Sequence, residues 1–81
     1  MVDGWFSKPV SIAVGIAGDV RIVENARDAM ALLSGNWREQ KSERYRAARR
    51  ACQDAMRGDV SPEIARQAFV DAADEARVLA R

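Results

Sequence analysis

The sequence predicts an α+β domain in which a two-stranded antiparallel β-hairpin is followed by three packed helices (ββααα). Two observations predict it. Between Pro9 and Val23, apolar residues alternate with small or polar ones, which is the period of a strand with one buried face. Beyond Asn25, apolar residues recur every three or four positions, which is the period of a helix. The chain has 81 residues, and the order of its elements predicts a single small domain over residues 1–81.

The hairpin is predicted over about residues 9–23. The turn falls at residues 17–19, because glycine and aspartate tolerate the backbone angles that a hairpin needs. On the second strand, Val20 and Ile22 are expected to face the core. Trp5 and Phe6 precede the hairpin and are expected to fold back as a lid. On the first strand, the positions expected to face the core are Val10, Ile12, Val14 and Ile16.

Capping residues mark where the helices begin. Asn25, Ser42 and Ser61 are good N-caps, and Pro62 follows in the first helical position, where its missing N–H costs nothing. Gly58 ends the second helix by accepting a left-handed conformation. The three helices are therefore predicted over about residues 26–35, 43–57 and 62–80.

The third helix predicts how the core is packed. Its inner face is mostly alanine, so another helix can approach closely, and Phe69 is the one large side chain on it. Large aromatic residues elsewhere are expected to complete this thin core. The residues expected to pack in the core are Ile12, Val14, Ile22, Leu33, Trp37, Tyr45, Cys52, Ala68, Phe69, Ala72 and Ala76.

Composition argues against an enzyme. The chain has no histidine and a single cysteine, so it lacks the commonest general base and the commonest metal ligand. The sequence carries no nucleophile–base pair and no glycine-rich phosphate loop. We expect no catalytic residue, no cofactor and no metal. One cysteine, no secretory signal and no apolar run longer than residues 12–16 predict a cytoplasmic protein that does not enter a membrane.

The second helix has an arginine face. It carries five arginines against two acids from Glu43 to Arg57, although Lys and Arg exceed Asp and Glu by only 13 to 12 in the whole chain. A helical row with a glutamine inside it could hold phosphates. The alternative is a solvated face whose arginine stems cover alanines, and the low net charge favours that alternative. The possible phosphate or nucleic-acid contacts are Arg46, Arg49, Arg50, Gln53 and Arg57.

Three smaller constellations have a structural and a functional interpretation. Cys52 lies on the apolar face of its helix, which favours packing over a redox role. Asp71 and Glu75 are four residues apart, as in some metal sites, but a solvated helix edge is the simpler interpretation. Trp5, Phe6 and Trp37 could line a pocket for a small ligand, although core packing is the commoner use of such residues. Sequence alone does not decide whether a ligand binds near these aromatic residues.

Taken together, these residues resemble a family of small alphaproteobacterial proteins known as domain of unknown function 982. The resemblance is carried by Trp5 before Pro9-Val10, by Trp37, by Tyr45-Arg46-Ala47-Ala48 leading to Cys52, and above all by the run from Ala65 to Ala76. It covers nearly the whole chain. The resemblance implies the predicted fold and supplies no activity and no site residues.

The function expected from these observations is that of a small non-enzymatic accessory protein that acts by protein–protein contact with a partner still to be identified. The alternative is a weak nucleic-acid-binding regulator that uses the arginine face, although nucleic acid is the less favoured partner. A homodimer through the first strand is a further expectation, because the segment from Ser11 to Gly15 has no charge to protect its edge.

Overall fold

The computed structural model describes residues 4–14, 19–35, 37 and 40–79. Two antiparallel strands are followed by three helices, which is the predicted α+β arrangement. The helices cover one face of the sheet, and the core lies between the two layers. The elements are β1 (Trp5–Val14), β2 (Asp19–Asn25), α1 (Ala26–Ser34), α2 (Glu43–Arg57) and α3 (Pro62–Glu75).

The sheet register places β2 with the opposite face inward from the one predicted. Val10 pairs with Val23 on the core face, so Ile22 pairs with Ser11 on the other face. Ile22 is 54% exposed and Val20 is 58% exposed, which makes their predicted core positions wrong. A shift of one residue in register moves every side chain of a strand to the other face. The predicted turn at residues 17–19 would place Ile16 opposite Val20, whereas Asp19 pairs with Val14, so the register is offset by three residues. Any odd offset exchanges the two faces in the same way.

The N-terminal segment belongs to the sheet and does not form a separate lid. Trp5 starts β1 and is 61% exposed, whereas Phe6 is partly buried against the core. The ladder is irregular between Trp5 and Val10, and side chains of α3 form hydrogen bonds with this part of β1. Ser7 donates a hydrogen bond to Glu63, and Arg66 Nε donates to the Lys8 carbonyl at 3.0 Å.

Caps set the beginnings of the helices. The Asn25 side chain accepts from the Asp28 N–H at 2.7 Å, and the Ser42 side chain accepts from the Tyr45 N–H at 3.0 Å. Ser61 occupies the N-cap of α3, but its side chain makes no capping hydrogen bond, contrary to expectation. Pro62 alone supplies the local start signal there, through its fixed φ.

The core is built from small residues around a few large ones. Phe69 is fully buried, and its ring centroid lies 5.6 Å from that of Trp37. Ala68 is only partly buried, because it lies about 100° from Phe69 around the helix and so reaches the flank of α3. Of the other residues expected in the core, the structure buries Ile12, Leu33, Trp37, Tyr45, Cys52, Phe69, Ala72 and Ala76. Outside the described residues lie the side chain of Val14, residues 15–18, and residues 36, 38 and 39 of the loop after α1.

The end of α3 differs from the prediction. This difference explains why the chain after α3 reaches the β1 edge of the sheet. The helix ends at Glu75 and not near residue 80, because Arg77 adopts a left-handed conformation at φ 59°. The N–H groups of Arg77 and Val78 then bond back to the carbonyls of Asp74 and Ala73, which is a helix-ending motif usually built on glycine.

The chain after α3 returns to the sheet. The Ala13 N–H donates to the Val78 carbonyl at 2.6 Å, and Ile12 forms an antiparallel bridge with Leu79. The β1 edge that was expected to pair with a second copy is therefore covered at these positions. The open edge of the described sheet is that of β2.

Candidate partner-binding groove

A groove of about 460 Å³ lies between the outer side of α2 and the beginning of α3. Its shape follows from the small residues of α2 and from the connection that brings the chain back along that helix. Gly58 ends α2 with φ 84°, and Val60 and Ile64 follow on the opposite side of the groove. The residues that line it are Glu43, Arg46, Ala47, Arg50, Ala51, Asp54, Val60 and Ile64.

Half of the residues that line the groove are apolar. Ala47 and Ala51 are four residues apart, so they lie one above the other on α2 and leave the helix backbone accessible. Ile64 is 55% exposed and adds a large apolar side chain to the lining of the groove. A ligand with an apolar surface would remove Ile64 and Val60 from water.

The charged side chains of the groove are balanced. Arg46 and Arg50 lie along one edge and form no ion pair within the described residues. Glu43 and Asp54 line the same groove, so two carboxylates offset the two guanidinium groups. The site can therefore offer donors to a carboxylate without attracting a polyanion strongly.

The arginine face predicted from the sequence is divided by the structure. All five of its residues are exposed, but only Arg46 and Arg50 line the groove. Arg49 instead lies over the Tyr45 ring, with 5.8 Å between its guanidinium carbon and the ring centroid. Tyr45 in turn donates a hydrogen bond from its hydroxyl to the Leu33 carbonyl. Gln53 and Arg57 lie outside the lining of the groove.

Cys52 has the environment of a packing residue. It is fully buried, and burial raises the pKa of its thiol to about 12. Because the thiolate is the reactive form, this thiol is poorly suited to redox chemistry near neutral pH.

The three aromatic residues predicted to line a pocket differ in their burial. Trp5 is exposed on β1, whereas Trp37 is buried against Phe69. The Trp37 Nε1–H is buried without a hydrogen-bond partner in the described part of the chain. The cavities described here are lined by other residues.

The carboxylate pair on α3 lies at the surface. Asp71 accepts a hydrogen bond from Gln67 at 3.0 Å, and Glu75 is exposed. Within residues 4–14, 19–35, 37 and 40–79, no group of three or more His, Cys, Asp or Glu could hold a metal ion. None of the helices described is long and apolar enough to cross a bilayer.

The sequence analysis indicated Arg46 and Arg50, but it did not indicate Val60 and Ile64, the apolar residues on the other side of the groove. The available signal was Ile64, which lies about 140° from Phe69 around α3 and so is off the alanine face. Val60 carried no such signal, because its place depends on how the α2–α3 connection folds.

Comparison with known proteins gives two matches. The family model described as "Protein of unknown function (DUF982)" matches residues 8–80. The NMR structure of an Agrobacterium tumefaciens protein, a structural genomics target, is similar with a TM-score of 0.80 and 34% identity, covering 99% of this chain and 79% of that one. The comparison with curated proteins finds no match.

Proposed function

The chain belongs to the DUF982 family, and we propose that it is a non-enzymatic interaction protein that binds a partner protein in the groove between α2 and α3. The proposal rests on one observation. Exposed Ile64 and the accessible Ala47–Ala51 surface lie beside two arginines that form no ion pair within the described residues. We place this function in the cytoplasm, where the single buried thiol would stay reduced.

The groove favours an amphipathic helix as its ligand. Small residues four apart on α2 allow a second helix to approach closely, and Ile64 supplies an apolar anchor at the mouth. Arg46 and Arg50 would then pair with carboxylates at the edge of that helix, where charge pairs set orientation more than affinity.

The alternative is a nucleic-acid regulator that uses Arg46, Arg49, Arg50, Gln53 and Arg57. The row of exposed arginines supports it. Against it, Glu43 and Asp54 line the groove and would repel phosphates, and Arg49 is engaged with Tyr45. The protein ligand is therefore the favoured partner.

The test is photocrosslinking in native cells with a photoreactive phenylalanine analogue in place of Ile64. The matched control carries the analogue at Glu75, an exposed site about 16 Å along α3 on a similar side of the helix. We expect a discrete protein adduct from position 64 and none from position 75. Equal labelling from the two positions would refute the groove as the binding surface.

Charge reversals separate the two candidate functions. Arg46→Glu or Arg50→Glu should remove the adduct, while Arg57→Glu makes the same charge change outside the groove and should leave it. If the protein were a nucleic-acid regulator, the wild type would be retained on DNA or RNA at about 50 mM salt, and all three variants would lose that retention. We expect no such retention.

A further inference from the structure

The open edge of β2 is a second surface, independent of the α2–α3 groove. The Ala13 N–H points away from β2, because it bonds to Val78 on the far side of β1. Ala13 and Val20 therefore form a non-hydrogen-bonded pair of the antiparallel ladder, and so do Ser11 and Ile22 two residues along. It follows that the N–H and C=O groups of Val20 and Ile22 point outward. By the same alternation, those of Glu24 do too.

These outward groups have no hydrogen-bond partner among the described residues. Beside them, a concavity of about 250 Å³ lies between the β2 edge and α1. Its apolar lining consists of Ile22, Val23, Ala31 and Leu32, and its polar lining of Arg21 and Asp28. Arg21 forms no ion pair in the described part of the chain.

We propose that β2 binds an extended peptide of a partner protein as an added strand over the α1 flank. The three outward residues supply regularly spaced donors and acceptors, which is how a sheet edge recognises a peptide. The peptide residues opposite Arg21 and Val23 would point toward the concavity. Leu32 favours an aliphatic side chain, and Arg21 on β2 attracts an acidic one, an attraction that Asp28 on α1 partly offsets.

A second copy of the chain fits this edge less well than a peptide does. Paired strands lie about 4.8 Å apart, whereas packed helices need about 8–10 Å between their axes. Because α1 flanks the β2 edge, an identical chain would bring its own α1 toward the same space. A peptide without a helix beneath it avoids this conflict.

The test uses a random heptapeptide phage library against three immobilised proteins: wild type, Ile22→Pro and Ile22→Ala. Proline removes the outward N–H of Ile22 without removing a bond to β1, and proline is tolerated at sheet edges for that reason. Alanine removes the side chain and keeps the N–H. We expect wild type and Ile22→Ala to enrich peptides with an aliphatic and an acidic residue two positions apart, and Ile22→Pro to enrich none.

An enriched peptide is then measured against each protein by fluorescence polarisation. Ile22→Pro should weaken binding roughly tenfold, the upper range for one hydrogen bond, and Ile22→Ala by no more than about threefold. Ala31→Gln, on the exposed side of α1, fills the concavity while leaving the N–H and C=O groups of β2 in place, and should also weaken binding. This variant keeps the test valid if the proline variant does not fold.

Three results would overturn the inference: no enriched class with wild type, binding that neither Ile22→Pro nor Ala31→Gln weakens, or sedimentation of wild type as a dimer that Ile22→Pro dissociates. The last result would assign the edge to a second copy. The α2–α3 groove is tested by its own variants, so either surface can fail without the other.

Discussion

The α2–α3 interface and the outer end of the hairpin use their apolar residues in opposite ways. Between the helices, even alanines are inaccessible: Ala48, Ala65 and Ala73 have no exposed surface. On the hairpin, the larger Val20 and Ile22 are more than half exposed. The size of an apolar residue therefore does not indicate whether it lies in the core of this small domain. Closely packed alanines of the helices form much of the buried core, while aliphatic residues of the sheet stay exposed.

The largest expected effect is the loss of Phe69. Phe69→Ala empties a fully buried aromatic site between α3 and Trp37 and should cost about 3–5 kcal/mol of unfolding free energy. Denaturant unfolding followed by circular dichroism measures it. A melting temperature within a few degrees of wild type would show that the helical layer is not the stabilising region.

The next effect concerns the contact that joins the start of β1 to α1. Gly4 has φ 69°, and a Cβ added there would lie 2.8 Å from the Ala26 Cβ. Gly4→Ala should therefore cost about 2–3 kcal/mol, combining backbone strain with a clash. Gly58→Ala is the matched control, since Gly58 has φ 84° but open space around it, and should cost about 1 kcal/mol. Equal losses in the two variants would mean that the clash is relieved.

A smaller and stabilising effect is expected at the end of α3. Arg77 holds a left-handed conformation that glycine adopts without strain, so Arg77→Gly should raise the unfolding free energy by about 1 kcal/mol. Arg77→Ala keeps the strain and removes the long side chain, which makes it the control. If alanine and glycine have the same effect, the conformation of the backbone is not what limits stability there.

The smallest effect is predicted at the exposed face of the hairpin. Ile22→Ala should change the unfolding free energy by no more than about 0.5 kcal/mol, the usual range for a surface site. The same denaturant titration measures it. A loss comparable to that of Phe69→Ala would mean that Ile22 is buried in solution, by the core or by another molecule.

The helices could be predicted from local signals, and the faces of the sheet could not. Asn25, Ser42 and Pro62 mark helix starts through their own backbone chemistry, and Gly58 marks an end in the same way. Arg77 ends α3 without a glycine, so the sequence carries no local signal for that boundary.

The sites depend on longer-range relations. The inward face of β2 is fixed by its register against β1, which is offset by three residues from the register that the predicted turn implies. Arg46 and Arg50 were visible as a helical row, but their neighbours Val60 and Ile64 join them only after the chain reverses at Gly58. The open edge of β2 could not be foreseen, because Val78 and Leu79 cover β1 only once α3 has ended early.

The most direct test of the division between the two regions is amide hydrogen exchange measured by NMR on the wild-type protein. We expect the amides of α2 and α3 around Ala48, Cys52 and Phe69 to exchange only through global unfolding. We expect fast exchange at Val20 and Ile22 and slower exchange at Arg21 and Val23, whose amides point toward β1. Uniform protection along β2, or exchange in the α2–α3 interface faster than global unfolding, would contradict this division.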